Sequence, residues 1–503
     1  MLSYGARVWR TRAAARALPS ILHRNYSMKE HEGATISMGK PMPSSSTHML
    51  TPTVDMLKHA KERVYTPTLA YAVRRRDPEL IRPAAHTPRE TKRLSDIDNQ
   101  EDLRTHVSLA LFYRGGQNDV DPAGLIRRAL GEALVHYYPL AGRLREVEGQ
   151  KLVVDCIGEG VLFVEADADV RLVELEAVGL RPPFPCWDQL LFDVEGSSGM
   201  IDCPLLHIQV TRLLCGSFVF ALRFNHVICD GIGIAQFMNA IAELARGLPS
   251  PTIAPVWSRE LLNARDPPMP SFTHREFDLL LQQPPPAGDM VIRSFTFGAS
   301  DLDAIKKSLP PLLRDTATTF EALAAFLGRA RAAALELTPG GNARPLMIVV
   351  NIRGVAGTNL PAGYYGNACV PSMVLVNPAV LLGGSLGDVV ALVRRAKVAV
   401  TSEYARSIID EMVLLGRRFL CPASMFVLSD ARHLGFVRVD FGWGEPVYAG
   451  PADTAFGVSS FITSKDRDGE DAVVVPVVLP RMAMDRFATE VEKLLNPVKP
   501  QLS

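Results

Sequence analysis

The chain has 503 residues, carries 54 Lys plus Arg against 54 Asp plus Glu, and is 47% apolar, which suits two or three compact units with ample core material. The balanced charge excludes a global attraction to nucleic acid and any strongly acidic or basic tail. Its seven cysteines are scattered, odd in number and without a CxxC pair, a pattern that speaks against a disulfide framework or zinc knuckle and for a reducing compartment, and no apolar run approaches the length of a bilayer crossing.

Residues 1–27 hold five arginines and no acidic residue, a composition similar to a mitochondrial presequence, with Arg24-Asn25-Tyr26-Ser27 similar to a processing site. The expected location is cytoplasmic, with a mitochondrial or plastid alternative if this segment directs targeting. Residues 28–64 are polar and rich in Ser, Thr and Pro, so 1–64 is expected to be a disordered extension. From residue 68 onward the pattern is that of an α/β protein. Residues 104–113 (RTHVSLALFY) are strand-like, and 122–136 (PAGLIRRALGEALVH) place apolar residues at helical spacing. Two β-type runs, LLHIQVTRLLC (205–215) and FVFALRF (218–224), are separated by Gly216-Ser217 and predict a hairpin. Ile234, Phe237, Met238, Ile241 and Leu244 then mark one face of a helix ending near Gly247. Nine prolines fall within 248–288, which reads as a long crossover linker. The second half predicts a strand at VIRSFTF (291–297), a helix from about Thr318 and a strand at LMIVVNIRG (346–354). A helix over 387–403, a strand at VVVPVVLP (473–480) and a closing helix from Met484 to about Leu495 complete it.

The stretch FNHVICDGIG (224–233) lies where the apolar strand ends and the helix begins. An imidazole at a strand end is held by the sheet while its ring projects into a cleft, and near neutral pKa it can take a proton from an attacking hydroxyl or amine. Asp230 could orient His226 or pair with an arginine and hold the loop. Gly231 and Gly233 leave room beside the histidine and permit a tight turn. The plain alternative is a satisfied core histidine with a helix-capping aspartate. The string HxxxD is common enough that these ten residues do not decide the matter.

The flanking sequence does. His226-Val227-Ile228-Cys229-Asp230-Gly231 matches HxxxDG, and Asp440-Phe441-Gly442-Trp443-Gly444 is an intact DFGWG in the expected order on the far side of the proline-rich segment. With RRRDPELIRPAAHTPRETKRLSDIDNQEDLR (74–104), YYPLAGRL (137–144), GEGVLFVEADADV (158–170) and GYYGNA (363–368), the chain resembles the plant BAHD acyltransferases, in the branch of benzyl alcohol benzoyltransferases and alcohol acyltransferases. The resemblance runs from about residue 68 to 495. It implies an α/β fold of two similar chloramphenicol-acetyltransferase-like domains, 65–247 with HxxxDG and 289–503 with DFGWG, joined by the 248–288 crossover around a channel. It further implies acyl-CoA as co-substrate with no permanently bound cofactor and no metal, a small alcohol as acceptor, and a monomer. His226 would be the general base, with Asp230 and Asp440 as the other essential carboxylates. Arg353 would pair with Asp230, while Gly231, Gly442, Trp443 and Gly444 would give structural support. Arg293, Ser294 and Thr319 fall in the region where the family contacts coenzyme A. Two departures bear on the pocket: Gly328 replaces a frequent tryptophan, and the loop between Gly450 and Gly457 is short.

Four other readings stand beside this one. Gly383-Gly384-Ser385-Leu386-Gly387 matches GxSxG, the nucleophile elbow of serine hydrolases, but Ser385 with Asp388 three residues on is also a helix N-cap. An N-acyltransferase would use the same base on an amine, and a non-catalytic acyl-CoA binder would keep the fold without turnover. A metal site at His226, Cys229 and Asp230 lacks a matching ligand cluster elsewhere.

Overall fold

The computed structural model describes residues 69–116, 120–274, 289–416, 425–466 and 469–495. The expected targeting segment and extension, and the end of the proline-rich crossover, lie outside the described residues.

Two large mixed sheets dominate. The first has seven strands: β1 (Val73–Arg75), β2 (Glu79–Ile81), β4 (His106–Tyr113), β7 (Val161–Ala168), β8 (Leu206–Leu213), β9 (Phe218–Asn225) and β14 (Tyr448–Pro451), in the order β1-β7-β8-β9-β4-β14, with β2 also on β7. The second has six, β10 (Met290–Phe297), β11 (Arg344–Asn351), β12 (Cys369–Val376), β13 (Phe426–Asp430), β15 (Val458–Lys465) and β16 (Asp471–Pro480), ordered β10-β16-β15-β13-β11-β12. A small sheet of β3 (Thr91–Arg93), β6 (Lys151–Asp155) and β5 (Arg143–Val147) flanks them.

Pattern and capping explain the elements that matter here. The expected hairpin forms as antiparallel β8 and β9, with Leu206, Ile208, Phe220, Leu222 and Phe224 on one face of the sheet. That face is covered by α1 (Pro122–His136), which has Pro at its start and an Asp121 cap, and by α2 (Gly231–Ala245). On the second sheet, α3 (Thr319–Ala334), α4 (Leu386–Ala399) and α6 (Arg481–Leu495) cover one face and α5 (Ser402–Leu414) the other. The single helix expected over 387–403 is instead two. It stops at Val400, whose backbone is extended, and the Thr401 hydroxyl accepts from the Tyr404 amide to cap α5.

The halves of the sequence do not stay apart. β14, which follows DFGWG, pairs antiparallel with β4, placing Tyr448 opposite Phe112 at the edge of the first sheet. A shared core of Phe112, Val219, Tyr448, Ile462 and Val474 joins the two sheets. The crossover is also more than a spacer. It makes a short 3-10 turn over Arg259–Leu262, and Arg259 there is among the most buried side chains described.

Candidate active site

His226 follows the last residue of β9, and its amide donates to the Thr105 carbonyl at 2.9 Å, so the loop leaves the sheet at a set point. The ring lies 5.8 Å from that of Phe224 and is partly exposed, with Nδ1 buried and without a hydrogen-bond partner. Asp230 does not orient it, because both of its oxygens are spoken for. Oδ1 accepts from the Gly233 amide at 2.9 Å, capping α2, and from Arg353 Nη2 at 3.0 Å. Oδ2 accepts from Arg353 Nη1 at 2.8 Å, from the Ala368 amide at 2.9 Å and from the Cys369 thiol at 3.6 Å. Burial alone would raise this carboxyl's pKa. The Arg353 charge and the backbone donors outweigh it, so Asp230 is held below the usual carboxylate range. Its position at the start of α2 also favours the anion.

Arg353 follows β11 and is fixed in turn. Its guanidinium donates to the carbonyls of Tyr364 at 3.2 Å and Gly366 at 2.6 Å. Burial would lower the Arg353 pKa, but Asp230 more than offsets this and raises it. The pair therefore ties the HxxxDG loop of the first half to the GYYGNA segment of the second. Gly231 and Gly233 let other segments approach the start of α2 closely. Both sit in the first turn of α2, where a Cβ on Gly233 would collide with the Tyr365 carbonyl and one on Gly231 would meet Leu434 at 2.6 Å.

A second set of contacts holds the same loop, and no motif flagged it. Asn367 Nδ2 donates to the His226 carbonyl at 2.9 Å and the Val227 carbonyl at 3.3 Å. Arg259 Nη2 donates to the Ile228 carbonyl at 2.7 Å. One buried carboxylate, Asp98, organises both, accepting from Arg259 Nη1 at 2.9 and 3.0 Å and from Asn367 Nδ2 at 2.8 Å. Arg259 lies 4.4 Å from the Trp257 ring centroid and 5.2 Å from that of Tyr365. The signal was present in the matched stretches LSDIDNQ and GYYGNA, but nothing in either string indicates that they meet.

DFGWG forms a separate turn. Asp440 Oδ1 accepts from the amides of Gly442 and Gly444 at 2.7 and 2.8 Å, while Arg246 reaches the Asp440 carbonyl and lies 3.7 Å from its carboxylate. Gly442 and Gly444 have φ of 109° and 80°, the left-handed region that favours glycine. Phe441 is buried between Tyr113 and Phe220, and Trp443 packs edge-on against Phe218. None of these contacts involves His226.

The remaining expected residues spread along the second half. Arg293 is exposed on β10, 5.4 Å from the Phe295 ring centroid, and the Ser294 hydroxyl donates to the Pro182 carbonyl. Thr319 opens α3, just after the capping Thr318. Gly328 lies within α3, where an added Cβ would meet Leu381 of the short helix Pro378–Gly383 at 3.8 Å. Ser385 caps α4, its hydroxyl donating to Asp388 Oδ2 at 2.8 Å in a capping box. The exposed hydroxyl has no histidine partner, which is not the geometry of an activated nucleophile. Among the described residues no group of three or more His, Cys, Asp or Glu could hold a metal, and no helix is long and apolar enough to cross a membrane.

Comparison with known proteins defines the class. A family description, Transferase family, matches residues 71–494, and the chain belongs to that family, the BAHD acyltransferases. It is 46% identical over 438 residues to a benzyl alcohol O-benzoyltransferase of Petunia hybrida, covering 85% of this chain and 95% of that protein. It is 43% identical to a (Z)-3-hexen-1-ol acetyltransferase of Arabidopsis thaliana, covering 86% and 97%. The fold is that of vinorine synthase, with a TM-score of 0.67 at 22% identity over 84% of this chain and 98% of that one. It is also that of the F. graminearum TRI101 complex with coenzyme A and T-2 mycotoxin, with a TM-score of 0.61 at 16% identity over 80% and 97%.

Proposed function

We propose that this enzyme transfers an acyl group from a coenzyme A thioester to the hydroxyl of a small alcohol, with His226 as general base. The observation that carries the reading is that His226 stands free at the end of β9 while Asp230 is fully engaged by Arg353 and backbone donors. The alcohol oxygen attacks the thioester carbonyl as the imidazole takes its proton. The tetrahedral intermediate collapses with cleavage of the carbon–sulfur bond, and the imidazolium returns the proton to the departing thiolate. No acyl-enzyme is needed. Relatives named for benzyl alcohol and hexenol support an alcohol acceptor. Asp440 supports the fold of its turn. Arg293, Ser294 and Thr319 are our candidates for the coenzyme A side, Arg293 being the exposed cation among them. We place the enzyme in the cytoplasm as a monomer with no permanent cofactor, and a fusion of residues 1–64 to a fluorescent reporter tests the location.

The test is a matrix of acyl-CoA donors against aliphatic, benzylic and amine acceptors, reading free thiol and identifying product by mass. Esters are expected; amides alone would reassign the acceptor. His226→Ala should lower acceptor-dependent thiol release by at least a hundredfold, and full activity in that variant would remove the proposed mechanism.

A further inference from the structure

Three consecutive carbonyls of the HxxxDG loop, those of His226, Val227 and Ile228, accept hydrogen bonds from Asn367 and Arg259. Each carbonyl needs a donor once buried, and water would serve as well for stability alone. Here the donors come from two distant segments and converge on one acid. Asn367 lies in the segment between Arg353 and β12, Arg259 in the crossover turn, and Asp98 before β4. Asp98 is fully buried and Arg259 is 1% exposed. A planar guanidinium can grip the carboxylate with one nitrogen and reach the Ile228 carbonyl with another, which a lysine cannot do. Space for it is provided by Gly366, where any Cβ would collide with Arg259 Nη1.

We infer that Asn367 and Arg259, organised by Asp98, are positioning residues that set the peptide planes at His226 to Ile228 and so aim the imidazole at the acceptor. The inference rests on His226 being the base. It separates two tasks that lie side by side. The Asp230–Arg353 pair anchors the far end of the loop, where α2 starts, to the GYYGNA segment, whereas the Asp98 cluster fixes the plane from which the reactive ring projects. A misplacement of the base by a fraction of an ångström weakens proton transfer in the transition state and leaves ground-state binding of either substrate nearly intact.

The experiment compares Asn367→Ala, Arg259→Lys and Arg259→Met in the full chain, with His226→Ala alongside. Asn367→Ala is expected to lower kcat by about tenfold or more while the KM values for acyl-CoA and alcohol stay within about threefold. Arg259→Lys should recover most of the melting temperature lost in Arg259→Met, because the charge beside Asp98 is restored. It should remain low in kcat, because the reach to Ile228 is not. If kcat in Asn367→Ala stays within twofold of the parent, or if lysine restores kcat and melting temperature together, the positioning role is wrong and the cluster is structural only. If His226→Ala itself keeps turning over, the base assignment fails instead. A dead His226→Ala beside a fully active Asn367→Ala overturns this inference alone.

Discussion

At the scale of the residue, a short HxxxDG string holds two titratable groups with opposite duties. Asp230 is anionic because five donors surround it, and His226 is available because none of those partners is shared with it. Replacing Asp230 with Asn leaves the half-buried Arg353 uncompensated, for which about 3 kcal/mol of stability is the expected loss at neutral pH. The carboxyl's pKa is lowered in the folded state, so its contribution is complete above the unfolded value near 4 and fades as pH falls through the folded one. The stability gap between parent and Asp230→Asn should therefore narrow in acid, as read by urea melts at pH 7 and at about pH 3. A gap independent of pH would mean that the ionised form contributes nothing. His226, Asp230 and Arg353 were legible because motif context marked them. Asp98, Arg259 and Asn367 were not, since Asp98 lies 161 residues from Arg259 and 269 from Asn367, and only the fold brings them together.

At the scale of the element, strands and helices with a strong period were readable almost to the residue. The β8–β9 hairpin and α1 follow from alternation and from proline at a helix start. What failed was punctuation inside a continuous pattern. The break between α4 and α5 turns on one threonine hydroxyl, and a run of apolar residues at helical spacing hides it. The same capping logic separates two readings of Ser385. Ser385→Ala should cost about 1 kcal/mol through the lost cap of α4 and leave acyl transfer unchanged, checked by thermal melts beside the thiol-release assay. DFGWG behaves as a turn that delivers β14 to the first sheet. Asp440→Ala removes the acceptor for two amides, and a loss on the order of 2 kcal/mol is expected. Hydrogen exchange should rise first in β14 and the turn, with β9 still protected; early exchange at β9 would instead tie Asp440 to the histidine loop.

At the scale of the whole molecule, the reading of two domains joined by a linker captures the two sheets but not how they are fastened. β14 leaves the second half to extend the first sheet, and the Tyr113 hydroxyl donates to the Val439 carbonyl just before DFGWG. The aromatic and aliphatic core of Phe112, Tyr448, Ile462 and Val474 belongs to both sheets, and the two ionic clusters each draw one member from either side of the crossover turn or from the turn itself. Opening one sheet would expose that core and strand buried charges in the other, a cost that neither half recovers alone. Unfolding in urea is therefore expected to be a single transition. In pulsed hydrogen-exchange labelling, peptides from β8–β9 and from β15–β16 should lose protection at the same denaturant concentration. Two separated midpoints would show the sheets to be independent folding units. A common midpoint that shifts together in Arg353→Met and Arg259→Met would place the fastening where the active-site loop is held, so that catalysis and cohesion of the molecule depend on the same few contacts.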